Sequence, residues 1–328
     1  MYKLDHIELP SKHLTCYESV LMTLLKAQGI HEESAFMGTQ ATFLFSPDAF
    51  SISAKVSSVD DNWKRLYGFE INSVSILDEA DLQQKLIALL AEGTPVCVPV
   101  DLFVLPHTLH HQQLHQHHYV NLFAYENGRF YMVCPYYRYQ GWVDAQLIVT
   151  GFFSDVVRAR ATQLITIPPC TRPEIDEEQV NEIIEDNCQT MLNLSSPDSF
   201  DPQYVGLVGI TTFTNQLQQL AEQEIMHHKD IYVNLSRHAT SIGNSRYWLH
   251  QLIQNYHPNI LSSELGQQFA NSTQAWKAVG MQLGMVAHGQ RPDIMQRVFS
   301  SLQTIQQQET RLFNSLLGVL PTYEQGIL

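Results

Sequence analysis

The stretch HLTCYESVLMTLLKAQG, residues 13–29, predicts the helix on which the first half of the chain is built. Thr15 followed by Glu18 forms a capping box, in which each side chain bonds a backbone amide at the helix start. Apolar residues then recur at helical spacing, and Gly29 is suited to end the helix. Cys16 therefore falls at the first helical position, where free amides and the helix dipole favour a thiolate. A half-buried packing cysteine is the alternative.

A second stretch, HYVNLFAYENGRFYMVCPYY, residues 118–137, predicts a β-hairpin. Asn127-Gly128 separates two strand-like runs, and this dipeptide favours the two-residue turn that joins antiparallel strands. Upstream, TPVCVPVDLFVLP predicts a buried strand from Thr94 to about Val104.

The segment PHTLHHQQLHQHHYV, residues 106–120, precedes and enters that hairpin and contains many of the chain's 15 histidines. In a helix, His107, His111, His115 and His118 would share one face. A closed zinc site needs three or four fixed ligands, and the segment has no Asp, Glu or Cys. We therefore expect a loop, with no metal and no cofactor.

Composition limits the classes of partner. The 328 residues include 33 acidic and 19 basic side chains, a formal net charge of −14. Such a chain repels nucleic acid and anionic membranes, so neither is an expected partner. The five cysteines are scattered and form no C-x-x-C pair, which is typical of free thiols in a reducing compartment. No apolar run is long enough to span a bilayer, so we expect a cytoplasmic protein.

The character of the sequence changes at ITIPPCTRPEID, residues 165–176, where prolines interrupt regular structure. We predict one domain over residues 1–170 and a mostly α-helical domain over residues 171–328. In the second, apolar residues recur at helical spacing after a cap at Asp176. The fold class is therefore α+β.

Cys16 lies on a helix, and His118 begins a strand about a hundred residues later. A papain-like fold brings such a distant cysteine and histidine together in space.

The chain resembles the butirosin biosynthesis protein H family, aminoglycoside acyltransferases with a papain-like N-terminal domain. The resemblance rests on HLTCYESVLMTLLKAQG, on FMG (36–38), on GTPVCVPVDLFVLPH (93–107) and on HHYVNLFAYENGRFYMVCP (117–135). In the second half, GNSRYWLHQLIQ (243–254) resembles the helical domain that follows in many members.

This resemblance implies Cys16 as nucleophile and His118 as general base. It also implies that the cysteine takes an acyl group from an acyl-carrier-protein thioester and passes it to an amine. Two alternatives remain open: a hydrolase that uses the same residues, and a non-catalytic binding protein on the same fold.

The chain departs from the more distant bacteriocin-processing peptidases at Cys134, where those proteins carry an aspartate. The role of orienting the histidine then moves to Asp101 or Asn121, or the site works as a pair, or it is degraded. Strand register adds a further alternative. A regular hairpin pairs Asn121 with Cys134, and His117 then lies on the same face as Cys134. A bulge would instead put His118 on the face of Cys134.

The same peptidases place a glutamine shortly before the cysteine as oxyanion donor, and this chain has none there. The amide of Cys16, assisted by His13, is the remaining candidate. An acidic carrier protein would also need a basic landing site, for which the candidates are Arg129, Arg138, Arg158 and Arg160. The tyrosines of CPYYRYQGW (134–142) line a pocket or pack a turn.

Overall fold

The computed structural model describes residues 4, 7–55, 64–68, 70–160, 162–169, 175–195, 197, 200–222, 229–289 and 292–320. The chain divides into two compact units, one of Met1–Glu33 with Trp63–Glu174, the other of Ser34–Asn62 with Ile175–Leu328.

The first unit is built on a six-stranded antiparallel sheet with the strand order β3-β8-β4-β5-β6-β7. Its strands are β3 (Asn72–Ser75), β4 (Val96–Asp101), β5 (His117–Glu126), β6 (Arg129–Cys134), β7 (Tyr139–Asp144) and β8 (Gln163–Thr166). Its helices are α1 (Cys16–Ala27), α3 (Glu79–Ala91), α4 (Ala145–Phe152) and α5 (Asp155–Arg158), with α2 (Glu33–Gly38) at the boundary between the units.

Helix α1 begins and ends as the sequence predicts. Thr15 and Glu18 form the complete capping box. Gly29 follows the helix with a φ of +88°, a conformation that glycine adopts without steric cost. The capping box therefore fixes Cys16 as the first residue of the helix.

The predicted hairpin is β5–β6, and Asn127 and Gly128 both have positive φ, as its two-residue turn requires. The predicted strand from Thr94 to Val104 is shorter than expected. It ends at Asp101 because the chain enters a 3₁₀ turn, Leu102–Val104, that Asp101 caps.

A register shift between Leu122 and Ala124 decides which side chains share a face of the hairpin. It pairs Asn121 with Val133, and not with Cys134 as in a regular hairpin. Because side chains alternate along a strand, Cys134 then lies on the same face as His118.

The two faces of the sheet are covered differently. One contacts α3 and α4, which bury Leu86 and Phe152 against Val98 and Met132. On the other, the side-chain amide of Asn121 donates to the carbonyl of Val20 in α1, at 2.8 Å.

The second unit is mainly helical. Its helices are α6 (Glu177–Met191), α7 (Gly206–Glu222), α8 (Lys229–Tyr256), α9 (Ser263–Ala287) and α10 (Pro292–Val319). Asp176 caps α6 as predicted, with Gln179 completing a capping box.

A small hairpin, β1 (Leu44–Ser46) and β2 (Ser51–Ser53), also belongs to the second unit. Phe43, just before β1, stacks on Trp276 of α9 with ring centroids 5.6 Å apart. Because this apolar hairpin packs among the helices, residues 34–62 belong to the second unit and not to the first. The units therefore differ from the predicted continuous domain over residues 1–170. Residues 170–174 of the predicted boundary lie outside the described residues.

A buried ion pair joins helices of the second unit. Arg246 and Glu309 are fully buried, with Nε of the arginine 3.0 Å from the carboxylate. Glu309 also accepts from Ser272 and Trp276, and Arg246 donates to the carbonyl of Thr42. Arg246 lies in GNSRYWLHQLIQ, so its place in that motif has a structural reason.

The α+β prediction is confirmed: an antiparallel sheet with helices is followed by a largely helical region. Of the helices in the described ranges, none has the length and apolar character needed to cross a bilayer.

Candidate functional site

The Cys16 thiol lies at the start of α1, beside strand β5. Backbone amides of Tyr17, Tyr119 and Cys16 itself hydrogen-bond to it, and each favours the thiolate. Burial has the larger effect, and the neighbouring Glu18 carboxylate adds to it, so the pKa of Cys16 is raised above its usual value. The expectation of a lowered pKa is therefore wrong, because desolvation outweighs the amides.

Three residues of β5 face α1. Tyr119 packs against Tyr17 with ring centroids 4.9 Å apart, and Asn121 bonds Val20. By alternation His117 shares this face, and its ring lies 4.6 Å from that of Tyr119. Burial lowers the pKa of His117, and the cationic Arg160 lowers it further. A hydrogen-bond partner for its buried Nε2 is absent from the described residues.

His118 has its Nε2 3.2 Å from Sγ of Cys134. Both residues are buried. Burial, with smaller effects from His107 and His117, lowers the pKa of His118 to about 3. Burial also raises the pKa of Cys134 to about 12, with a smaller effect from Cys16. At neutral pH the pair is thus an uncharged imidazole and an uncharged thiol.

The predicted nucleophile and base do not bond to each other, and alternation along β5 puts His118 on the strand face opposite to α1. Cys16 acts electrostatically on Cys134 and on Tyr137, whose ring lies 5.3 Å from that of His118. Within the described part of the chain, no hydrogen bond joins Cys16 to His118.

Asp101 is buried and contacts another histidine of the loop. Its Oδ2 lies 2.6 Å from Nδ1 of His115, and its Oδ1 accepts from the amides of Phe103 and Gln116. The His115 ring also stacks on Phe103 at 4.1 Å. The partner of this buried carboxylate is therefore His115. Asp101 anchors the loop, and none of its hydrogen bonds within the described residues goes to His118.

Asn121, the other alternative, connects sheet and helix. Its amide group donates to Val20, while its Oδ1 is buried without a partner among the described residues. It faces α1, whereas His118 faces the opposite side of β5. This geometry makes Asn121 a link between the sheet and the helix that carries Cys16.

The other predicted site residues lie around the unit. His13 is exposed, and its amide donates to Ser11 Oγ at 3.3 Å. Arg129 lies over Trp142 and Arg158 over Phe153. Arg138 donates to a backbone carbonyl. Arg160 acts electrostatically on His117 and on Tyr119.

Residues 105–116 form the predicted loop, a series of turns between the 3₁₀ helix and β5. The sequence suggests His107 only as a metal ligand, but its ring stacks on that of Tyr139 at 4.1 Å, and its charge would lower the pKa of His118. Tyr136 and Tyr137 contact the His118 ring, so the CPYY turn packs against the candidate base. In the described ranges, no three His, Cys, Asp or Glu side chains converge as metal ligands would.

Sequence reasoning did not identify Tyr119, whose amide bonds the Cys16 thiol. Its position two residues from both His117 and Asn121 was the available signal, because alternate residues of a strand share a face.

Together these features define an α+β unit in which a cysteine-bearing helix packs on an antiparallel sheet that carries a histidine–thiol pair. Residues 15–134 match the family described as butirosin biosynthesis protein H, N-terminal. This confirms the resemblance over a segment that runs from the cap of α1 to Cys134 and covers less than half of the chain. A search of curated proteins finds no match.

Proposed function

We propose that the protein is a cysteine-dependent acyltransferase of specialised metabolism, such as antibiotic biosynthesis. It moves an acyl group from a carrier-protein thioester to Cys16, and from there to a small-molecule amine. The observation that carries this proposal is the Cys16 thiol, hydrogen-bonded by backbone amides of α1 and β5 and lying beside the strand that carries His117 and His118. Its location within the family-matched segment supports the same chemistry.

In the first half-reaction, a histidine of β5 takes the proton of Cys16 and the sulphur attacks the thioester carbonyl. The carbon–sulphur bond to the carrier arm breaks, and the arm leaves as a thiol with that proton. The family resemblance implies His118 as this histidine, whereas alternation along β5 places His117 on the α1 face and His118 on the face of Cys134. The amide of Cys16, with His13 assisting, is the proposed donor to the oxyanion.

In the second half-reaction, an amine attacks the acyl-cysteine and gives a proton to the same histidine. The new carbon–nitrogen bond forms the amide, and Cys16 leaves as the thiol. Exchange between two thioesters is nearly balanced in energy, whereas amide formation is downhill. The raised pKa of Cys16 also makes it dependent on a base, since little thiolate is present at neutral pH.

His117 is a second candidate base. It lies on the α1 face beside Tyr119, and its Nε2 is unpartnered among the described residues. Replacing each histidine by glutamine distinguishes the two candidate bases. Only the replacement of the true base should slow acylation of Cys16, by at least tenfold.

The experiment is intact-protein mass spectrometry after mixing with acyl thioesters, for wild type, Cys16→Ala and Cys97→Ala. Cys97 is a buried thiol of β4 and serves as the matched control. An acyl adduct present in wild type and Cys97→Ala, but absent in Cys16→Ala, supports the proposal. Addition of amines then distinguishes transfer from hydrolysis, because transfer yields an amide and hydrolysis a free acid.

A non-catalytic binding protein is the second candidate, favoured by the uncharged state of both Cys16 and His118. A binding protein should form no acyl adduct with any thioester. It should also still bind its ligand in the Cys16→Ala variant.

A further inference from the structure

The His118–Cys134 contact places a thiol where a carboxylate would hold a catalytic histidine. The groups that contact or act on His118 are His107 in the loop, His117 on the same strand, Tyr136 and Tyr137 in the turn, and Cys134 on β6. Among the described residues, no carboxylate contributes to its pKa.

A carboxylate and a thiol act differently on an imidazole. A carboxylate only accepts, so it fixes a proton on the facing nitrogen and stabilises the charged imidazolium. An uncharged thiol donates or accepts, so it holds the ring without selecting one tautomer, and it gives the charged ring little stabilisation. The two nearby histidines oppose that charge as well.

We propose that Cys134 is the positioning residue of His118 and that, because it brings no negative charge, it leaves the buried resting site as an uncharged thiol beside an uncharged imidazole. Cys16 then loses its proton only when a thioester is bound, and the enzyme does not carry a standing thiolate–imidazolium pair. The catalytic consequence rests on the proposed function, whereas the effect of Cys134 on His118 does not.

The test is a ¹⁵N-histidine NMR titration of wild type, Cys134→Asp and Cys134→Asn, with no substrate present. Asp and Asn have the same shape, so only the charge differs. We expect His118 to titrate below pH 5 in wild type and in Cys134→Asn, and at least two pH units higher in Cys134→Asp. Equal midpoints in the Asp and Asn variants would overturn the proposal.

Alkylation of Cys16 gives a second measurement on the same variants. In Cys134→Asp the new carboxylate should stabilise a charged His118, which in turn favours the Cys16 thiolate. The alkylation rate of Cys16 at pH 6 should then be at least tenfold higher than in wild type, and in Cys134→Asn it should stay within about threefold of wild type. Cys97→Ser, which changes a buried thiol on β4, should leave the His118 titration unchanged.

Cys134→Ser and Cys134→Ala keep the test decisive if the charged variant fails to fold. Serine retains a group that donates and accepts, so the ¹⁵N shift of Nε2 should stay near its wild-type value and move only in the alanine variant. An unchanged shift in Cys134→Ala would contradict the proposal. If the NMR result holds while wild type forms no acyl adduct, the acyltransferase proposal fails and the positioning role stands.

Discussion

The carboxylate of Asp101 is bonded to His115, with 2.6 Å between Oδ2 and Nδ1. It also accepts from two loop amides, so it closes the histidine-rich loop against the end of β4. The only described residue that forms a side-chain hydrogen bond to His118 is Cys134. Asp101, the carboxylate predicted to orient the catalytic histidine, thus holds the loop in place.

We expect Asp101→Ala to lower the free energy of unfolding by about 1.5–3 kcal/mol, because it leaves the amides of Phe103 and Gln116 without their charged acceptor. His115→Ala should cost less than about 1 kcal/mol, since its ring is mostly exposed. Urea denaturation measures both. A large change of the His118 titration in Asp101→Asn would instead assign the orienting role to Asp101.

Cys16 should be slow to alkylate at neutral pH. Its raised pKa means that the thiolate fraction, and with it the rate, increases with pH to beyond pH 9. Rates of iodoacetamide labelling, followed by peptide mass spectrometry from pH 6 to 10, measure this dependence. A plateau reached below pH 7 would show a standing thiolate and contradict the structure.

Breaking the Arg246–Glu309 pair should destabilise the helical unit. Arg246→Met and Glu309→Gln each leave a buried group unpaired, at a cost of about 3–5 kcal/mol. The double variant should cost less than the sum of the two, because neither charge then remains. Arg297→Met, which removes an exposed ion pair with Asp293, is the control and should cost less than about 0.5 kcal/mol. Thermal unfolding followed by circular dichroism reports all four.

Two glycines of α9 should respond oppositely to alanine. A Cβ at Gly280 would lie 2.8 Å from the carbonyl oxygen of Ser236 and 2.6 Å from Thr240 Oγ1, so Gly280→Ala should cost about 1–3 kcal/mol. At Gly266 the nearest atom is 3.8 Å away, and alanine should stabilise the helix by about 0.5–1 kcal/mol. Equal effects at both sites would contradict the close approach of α8 to α9.

Acid should destabilise the first unit through its buried histidines. The pKa values of His118 and His107 fall from 6.5 to about 3 and about 4 on folding. The unfolded chain therefore binds more protons as the pH falls below 6.5, and stability is lost between that pH and about 4. Urea midpoints against pH should show this slope, and it should be shallower in His107→Phe. The exposed His288→Gln is the control.

The sequence was most informative where local chemistry determines structure. The capping box of Thr15 and Glu18 and the positive-φ turn at Asn127 and Gly128 depend on residues close together in the chain. For that reason α1 and the β5–β6 hairpin could be predicted, and with them the positions of Cys16 and His118.

What could not be predicted depends on contacts distant in sequence. The register shift after Leu122 puts Cys134 on the face of His118 and not on the face of His117 and Asn121. The burial of Cys16 reverses the effect of its helix position on the pKa. The packing of Phe43 against Trp276 removes residues 34–62 from the first unit. No local pattern encodes these three outcomes.

The division of the chain between the units has a consequence for its biosynthesis. Leu44 forms a bridge with Val205, so the β1–β2 hairpin meets this partner only after roughly 160 further residues have been made, on the order of 10 s of translation. During that interval Phe43 and Phe45 are without the helices that cover them. The nascent chain is therefore a candidate client for ribosome-associated chaperones, from the emergence of this hairpin until the helical unit is complete.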